Sequence, residues 1–390
     1  MTKRFILCYD FLTEIGGLER LMAVHAKFLK NAGYRTKLIF GEINKTLASN
    51  EIFAGLDIEE FGSKNLTGGT KTLAGIMGVN SLKEIIQPED ILISYSFPMN
   101  ITLRKFNNMK ILYLNHFPNF LYLPLKDRWL WANNTKRKMA FFYSLFLGPI
   151  TKKLDKKYVS KNSLIFVNSN FTKKKLDPLY GINGILSYPP VNNMFYSRYD
   201  EDTYIKFELP SRYIFASGRI IPDKRYDLLI EAFAKMENKK IPLVISGKWD
   251  KKEYDKLNKL AQRLGVANRI YFLGFITTEE LIHIYSAATL YAVPTMQEDF
   301  GLCSAESLSC GCPIITWDDE GGSCEQTIDG VNGYVAIPYI TGDFAKMMDK
   351  CIKEEFKITH HSEILNSAKK FSVEYQENIF ISEIKKIIPN

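Results

Sequence analysis

The chain alternates between two hydrophobic rhythms. The run Phe5-Ile6-Leu7-Cys8-Tyr9 is continuously apolar, which predicts a strand covered on both faces. Leu18, Leu21, Met22, His25 and Leu29 then recur at helical spacing and predict a helix over about 18–30, with Gly33 as its stop signal. The β-branched and aromatic residues of 36–40 return the chain to a strand, completing a βαβ unit. Further strands are predicted at 90–95, 109–114, 163–167 and 184–188, with helical stretches between most of them.

Tyr188-Pro189-Pro190-Val191 interrupts this rhythm, because paired prolines end regular structure. A second alternation follows: strands at 213–217, 242–246, 269–273, 289–293 and 313–316, with helices from Arg225, Asp250, Thr278 and Gly301. The pattern predicts an α/β protein of two Rossmann-like, doubly wound domains facing each other across a cleft. The first is expected over 1–190 and the second over 191–372. The amphipathic stretch 373–390 carries Tyr375, Ile379, Phe380 and Ile384 near helical spacing. In such sheets ligands sit beyond the carboxyl ends of the strands, so the strand-to-helix loops are where chemistry is expected.

Composition narrows the class. With 390 residues, 46% hydrophobic and 24% charged, the chain can bury two cores and is neither disordered nor fibrous. The net charge of +8 is unevenly placed: residues 101–180 hold 16 basic and 3 acidic side chains, while residues 201–390 are net acidic. Such a block favours an anionic partner. The six cysteines include no CxxC pair, so a structural metal is not expected, and free thiols suit a reducing cytosol. The N-terminus has no signal-peptide core, and the longest weakly polar run, 139–150, is too short to span a bilayer.

Three loops carry candidate chemistry. Gly16 and Gly17, between the first strand and helix, let a phosphate or sugar approach the backbone at a helix N-terminus. After the strand 213–217, Gly218 leaves the approach open while Arg219 and Lys224 can converge on a diphosphate. In Glu298-Asp299-Phe300-Gly301-Leu302-Cys303-Ser304-Ala305-Glu306 the two carboxylates are separated by loop and helix, so they need not compete for one spot. Glu306 can accept from vicinal ribose hydroxyls and Glu298 from sugar hydroxyls.

The order Gly16-Gly17, Gly218-Arg219 with Lys224, Glu298 and Glu306 with seven residues between them, Gly311-Cys312-Pro313, Gly321-Gly322, Glu325 and Asp329-Gly330-Val331-Asn332-Gly333 resembles the retaining, nucleotide-sugar-dependent glycosyltransferases of the GT-B, family 4 type. The resemblance implies that residues 1–190 bind the acceptor, that 373–390 cross back to them, and that 191–372 bind a GDP- or UDP-hexose. It implies that Arg219 and Lys224 hold the donor diphosphate, that Glu306 binds the ribose, and that Glu298 faces the transferred sugar beside backbone groups of Phe300, Gly301 and Leu302. Gly16 and Gly17 match the loop that closes over the phosphates. His116, in Leu114-Asn115-His116-Phe117-Pro118, is similar to the family's histidine at the cleft, a donor-sugar contact. No metal and no other cofactor is implied, since arginine, lysine and a helix dipole neutralise the leaving diphosphate. Asp299 and Arg225 depart from the family pattern at positions where glycine is frequent. The aromatic run with Trp129 and Trp131 resembles a subset that uses GDP-mannose.

The basic block has its own reading. Lys126, Arg128, Trp129, Lys136, Arg137 and Lys138 precede the apolar run 139–150, and Lys152 and Lys153 follow it. Lysines bracketing an apolar stretch suit one helix lying in a membrane interface, with a glycan or lipid-linked acceptor received there and a cytoplasmic or peripheral location. Nucleic acid is the opposing reading of the same charge, and neither a helix-turn-helix pattern nor an RNA-binding aromatic motif supports it. A same-fold epimerase or phosphorylase is the alternative enzyme, the latter marked by a lysine-bound pyridoxal cofactor.

Overall fold

The computed structural model describes residues 3–62, 81–95, 97–132, 135–196 and 207–388. The chain divides into two units, Met1–Tyr188 with Glu377–Asn390, and Pro189–Gln376. The division falls on the first of the paired prolines, where the missing N–H and fixed φ stop regular pairing.

The first unit is built on seven strands: β1 (Arg4–Leu12), β2 (Arg35–Ile43), β3 (Ile58–Glu60), β4 (Ile91–Tyr95), β5 (Lys110–Leu114), β6 (Leu164–Val167) and β7 (Ile185–Leu186), in the spatial order 3-2-1-4-5-6-7. The second has six: β8 (Ile214–Ser217), β9 (Leu243–Ser246), β10 (Ile270–Gly274), β11 (Leu290–Ala292), β12 (Ile314–Trp317) and β13 (Gly333–Ala336), in the order 10-9-8-11-12-13. Every pairing between these strands is parallel. Both sheets are thus doubly wound, with the order reversing between β1 and β4 and between β8 and β11. The central strands are buried on both faces, as their unbroken apolar runs require: Phe5 to Cys8 and Leu243 to Ile245 are fully buried.

The helices used below are α1 (Gly17–Asn31), α2 (Leu125–Trp131), α3 (Thr135–Phe146), α4 (Gly148–Val159), α5 (Asn170–Tyr180), α6 (Tyr226–Lys235), α7 (Leu302–Ser309), α8 (Thr341–Lys353) and α9 (Val373–Ile387). The α1 stripe Leu21, Met22, His25 and Leu29 is buried as its spacing requires. The apolar run 139–150 is not one helix. Gly148 and Pro149 start α4 afresh, with Pro149 in its first turn, so the run is split between α3 and α4. In α4 the carboxylate of buried Asp155 accepts hydrogen bonds from Asn100 Nδ2 and from the Tyr122 and Tyr180 hydroxyls, each at 2.8 Å. These bonds satisfy a charge that burial would otherwise penalise, and they fix which face of α4 points inward.

Helix α9 begins in the second unit and ends in the first. There Phe380, fully buried, stacks on His25 at 4.0 Å and on Phe166 at 4.9 Å. His25 Nδ1 lies 2.9 Å from the Tyr95 hydroxyl. Burial among these rings pulls the imidazole pKa down to about 3, so His25 is neutral in the folded protein. In the unfolded chain it takes up a proton below about pH 6.5, and folding stability is therefore lost as pH falls. Replacing His25 with Gln is expected to remove this dependence, so the wild-type stability should fall relative to the variant by about 2 kcal/mol between pH 6.5 and pH 5. Buried Asp10, whose pKa burial raises to about 7, works in the opposite sense in both proteins and cancels in the comparison. Urea midpoints of both proteins at the two pH values check this, and parallel curves would refute it.

Candidate active site

The reversal of strand order between β8 and β11 places two loops side by side. A loop leaving β8 and a loop leaving β11 head toward different helices, and the space above the strand ends is where ligands bind in such sheets. The first loop is Gly218–Arg225, leading into α6; the second is Pro294–Gly301, leading into α7. Gly218 (φ +133) and Gly247 (φ +143) lie back to back, and a Cβ on Gly247 would come within 1.8 Å of the Gly218 carbonyl oxygen. Only glycine permits that approach. The turn is held from below by Ser217, whose hydroxyl lies 2.8 Å from the Tyr285 hydroxyl and 3.2 Å from that of Tyr291.

The two loops meet through Lys224 Nζ and Glu298 Oε2, 2.6 Å apart and each about three-quarters buried. Burial disfavours the Lys224 ammonium, but the Glu298 carboxylate outweighs it and the lysine pKa is raised. Arg219, exposed at the start of the loop, is close enough to oppose that rise. The Cys303 thiol, in the first turn of α7, is pushed up to about 11, by burial first and then by Glu306, against the pull of Lys224. Arg219, Lys224, Glu298, Cys303 and Glu306 therefore share one electrostatic neighbourhood, two cations against two carboxylates around a neutral thiol. Gly301 (φ +84) caps α7 in the left-handed region, where a Cβ would meet Ser323 Oγ at 2.3 Å. The first N–H groups of α7 follow directly, an anion-receptive end beside the two cations. Phe300 is buried and Leu302 half-buried.

A second layer braces the Glu298 loop. Asp319, after β12, accepts from Gln297 N at 2.7 Å and Gly321 N at 2.9 Å, and the Tyr339 hydroxyl reaches it at 3.3 Å. Gly322 N donates to the Glu298 carbonyl at 2.6 Å, and Gln326 Nε2 to that of Phe300 at 2.6 Å. Gln297 (φ +45), Glu320 (φ +61), Tyr339 (φ +65) and Arg225 (φ +53) hold left-handed backbone around this region. Such strain persists where the surroundings over-determine a conformation. Sequence reasoning found the Gly321-Gly322 pair but not Asp319, Ser217 or the tyrosines. Arg225, at a position expected to favour glycine, is anchored by two 3.0 Å bonds to Asp227, and its guanidinium contacts Met296 Sδ.

In the first unit, Gly16 N donates to Glu19 Oε2 at 2.8 Å, so the N-terminal turn of α1 already has a buried carboxylate of its own; Gly17 is exposed with open space around it. His116 stands exposed after β5, and the surrounding protein lowers its imidazole pKa by desolvation. Of the basic block, Lys126, Lys136, Lys138 and Lys153 are exposed and Lys152 is half-buried, its Nζ 5.5 Å from the Tyr122 ring. Two cations of the block, both half-buried, also make contacts within the unit. Arg128 donates to the Leu123 carbonyl and to Ser144 Oγ at 3.0 Å, tying α2 to α3, and Arg137 lies over the Trp131 ring at 5.1 Å. All six cysteines are free thiols.

Residues 201–371 match the family described as glycosyl transferases group 1. Over 140 residues the chain is 34% identical to the D-inositol 3-phosphate glycosyltransferase of Mycolicibacterium smegmatis, covering 35% of this chain and 32% of that protein. Over 157 residues it is 26% identical to the serotype-specific mannosyltransferase WbdA of Escherichia coli, covering 38% of this chain and 18% of that one. These matches thus span a third or less of the relatives' length. The fold is shared at full length with HepE of Anabaena, crystallised with UDP and glucose: 16% identity, TM-score 0.72, 99% of this chain and 100% of that one.

The bracing makes a stability prediction. A Cβ on Gly322 would lie 2.5 Å from Phe300 Cα and 2.7 Å from the Asp299 carbonyl oxygen, so Gly322→Ala must displace the Glu298 loop and is expected to cost about 1–3 kcal/mol. Gly342→Ala, in the first turn of α8 with open space around it, is expected to leave stability unchanged or raise it by up to about 1 kcal/mol. Denaturant unfolding of the two variants tests the contrast, and equal effects would show that the loop is not braced.

Proposed function

We propose that this chain, which belongs through residues 201–371 to the group 1 glycosyl transferases, moves a hexose from a nucleotide-diphosphate sugar to a hydroxyl of a glycan or lipid-linked acceptor. The observation that carries the reading is the meeting of Lys224 with Glu298, beside Arg219 and Glu306, at the strand-order reversal of the matched unit. Arg219, Lys224 and the N-terminus of α7 face the charge that builds on a departing diphosphate, which is why no metal ion is assigned to the step. Glu306 takes the ribose hydroxyls and Glu298 the hydroxyls of the transferred sugar.

The Lys224–Glu298 pair gives the site a resting arrangement. When a donor diphosphate enters, the ammonium exchanges a carboxylate partner for phosphate oxygens, and Glu298 is released toward the sugar. His116 and the turn at Gly16-Gly17 are assigned to the donor as well. Retention of configuration follows from displacement on one face, with the leaving phosphate taking the acceptor's proton. Catalysis then rests on positioning and electrostatics. Mannose is the first sugar proposed, because WbdA is named a mannosyltransferase; the UDP bound by HepE makes uridine a base to test beside guanosine.

A panel of UDP- and GDP-hexoses is expected to raise the melting temperature for one base above the other, since a ligand that binds only the folded state stabilises it. Arg219→Ala is expected to lower turnover of the selected donor by about 100-fold or more with the melting temperature unchanged. A panel with no stabilising member, or near-normal turnover in Arg219→Ala, would overturn the assignment.

A further inference from the structure

Of the twenty large hydrophobic side chains exposed among the described residues, nine fall between residues 125 and 150. They are not scattered. On α3 Met139, Phe142 and Phe146 recur at helical spacing along one stripe, and Phe146 is 80% exposed. Trp129 and Leu130 on α2 and Ile150 on α4, helices that both pack against α3, are exposed as well. Single exposed hydrophobics are ordinary on a soluble surface; nine gathered on three adjoining helices mark a place where something binds.

The inward faces of the same helices are already filled. Phe141 and Ser144 on α3, and Thr151, Asp155 and Val159 on α4, are buried, and Asp155 is locked by its three hydrogen bonds. Arg128 fastens α2 to α3 through Ser144, and the Trp129 ring packs edge-on against Phe141 at 5.2 Å. Rotating any of the helices to hide the apolar stripe would break these contacts, so the stripe is held outward. Its charge surround has one sign. Residues 124–157 contain nine basic and two acidic side chains, and one of the two acids is the buried Asp155. Lys126, Lys136, Lys138, Lys153, Lys156 and Lys157 stand exposed around the apolar positions.

We propose that the α2–α4 face is a docking surface for an anionic lipid bilayer, with the apolar stripe entering the headgroup boundary and the lysines meeting acidic headgroups. Charge complementarity selects this occupant. A second copy of the chain would bring two lysine rims together across a two-fold axis, and like charges oppose that contact. Nucleic acid would satisfy the lysines but offers nothing to Leu130, Met139 and Ile150. A bilayer offers both, acyl chains for the stripe and phosphates for the rim, and tryptophan is enriched at that boundary. No helix among the described residues is long and apolar enough to cross a membrane, and the break at Gly148-Pro149 keeps the apolar run as two short helices that lie on a surface. The inference deepens the lipid-linked acceptor of the proposed function but is measured without a sugar nucleotide, so its failure and the failure of the transferase reading are separate results.

The full chain should co-sediment with phosphatidylcholine vesicles that contain phosphatidylglycerol and remain in solution with phosphatidylcholine alone. Binding should weaken as salt is raised, with tryptophan emission shifting to the blue on binding. The double variants Phe142→Ser/Phe146→Ser and Lys136→Glu/Lys138→Glu should each lose at least tenfold in vesicle affinity. All four side chains are exposed, so an unchanged melting temperature is expected, and the two variants fail for opposite chemical reasons. Three outcomes overturn the proposal: no sedimentation with anionic vesicles at low salt, affinity unchanged in both variants, or a dimer in light scattering that Phe142→Ser/Phe146→Ser dissociates. Binding of single-stranded RNA in place of vesicles would assign the lysines to nucleic acid and also overturn it.

Discussion

A lysine and a glutamate drawn from loops 74 residues apart are held at 2.6 Å because the strands beneath them are neighbours that feed different helices. That constraint organises the second unit. Parallel strands cannot turn back on themselves, so each must cross over through a helix, and where the crossing direction reverses the loops splay and leave their ends open. Gly218 stacks on Gly247 to let the first loop pass, and Gly301 takes a left-handed conformation to let the second enter α7.

The cost of such a site is conformational. Four non-glycine residues sit in left-handed backbone near it; Gln297 N–H donates to Asp319, the Tyr339 hydroxyl reaches the same carboxylate, and Arg225 reaches across to Met296 Sδ in the other loop. Asp319 is central to that bracing: its carboxylate gathers two backbone N–H groups and a tyrosine hydroxyl from three segments. The backbone around Glu298 can therefore hold left-handed conformations while its loop is braced from several segments, which is the condition under which a charged group acts by position rather than by collision.

Much of this was legible in the sequence, and what was missed has physical causes. Eleven of the thirteen strands announce themselves as short apolar runs. Ile58–Glu60 does not, because a three-residue edge strand with two glutamates and no fully buried residue has no buried pattern to show, and Gly333–Ala336 is masked by the glycine-rich turn before it. Lys224, Glu298 and Glu306 could be placed because they stand at the ends of recognisable strands and at the start of a recognisable helix. Asp319 could not, since a carboxylate among Asp318, Asp319 and Glu320 looks like any other until the loop it accepts from is folded against it. The apolar run 139–150 misled in the other direction: its hydrophobicity predicts one helix, and only the local preference of Gly148-Pro149 for a helix start divides it.

The last helix carries a consequence for how the protein is made. Phe380 fills the space between His25 and Phe166, yet it lies beyond the whole second unit along the chain and is synthesised after it. The first sheet therefore emerges first but waits, with one aromatic place unfilled, for α9. Its completion follows the synthesis of the second unit, and a ribosome that stops before residue 377 releases a chain whose first unit has its strands and not its final ring.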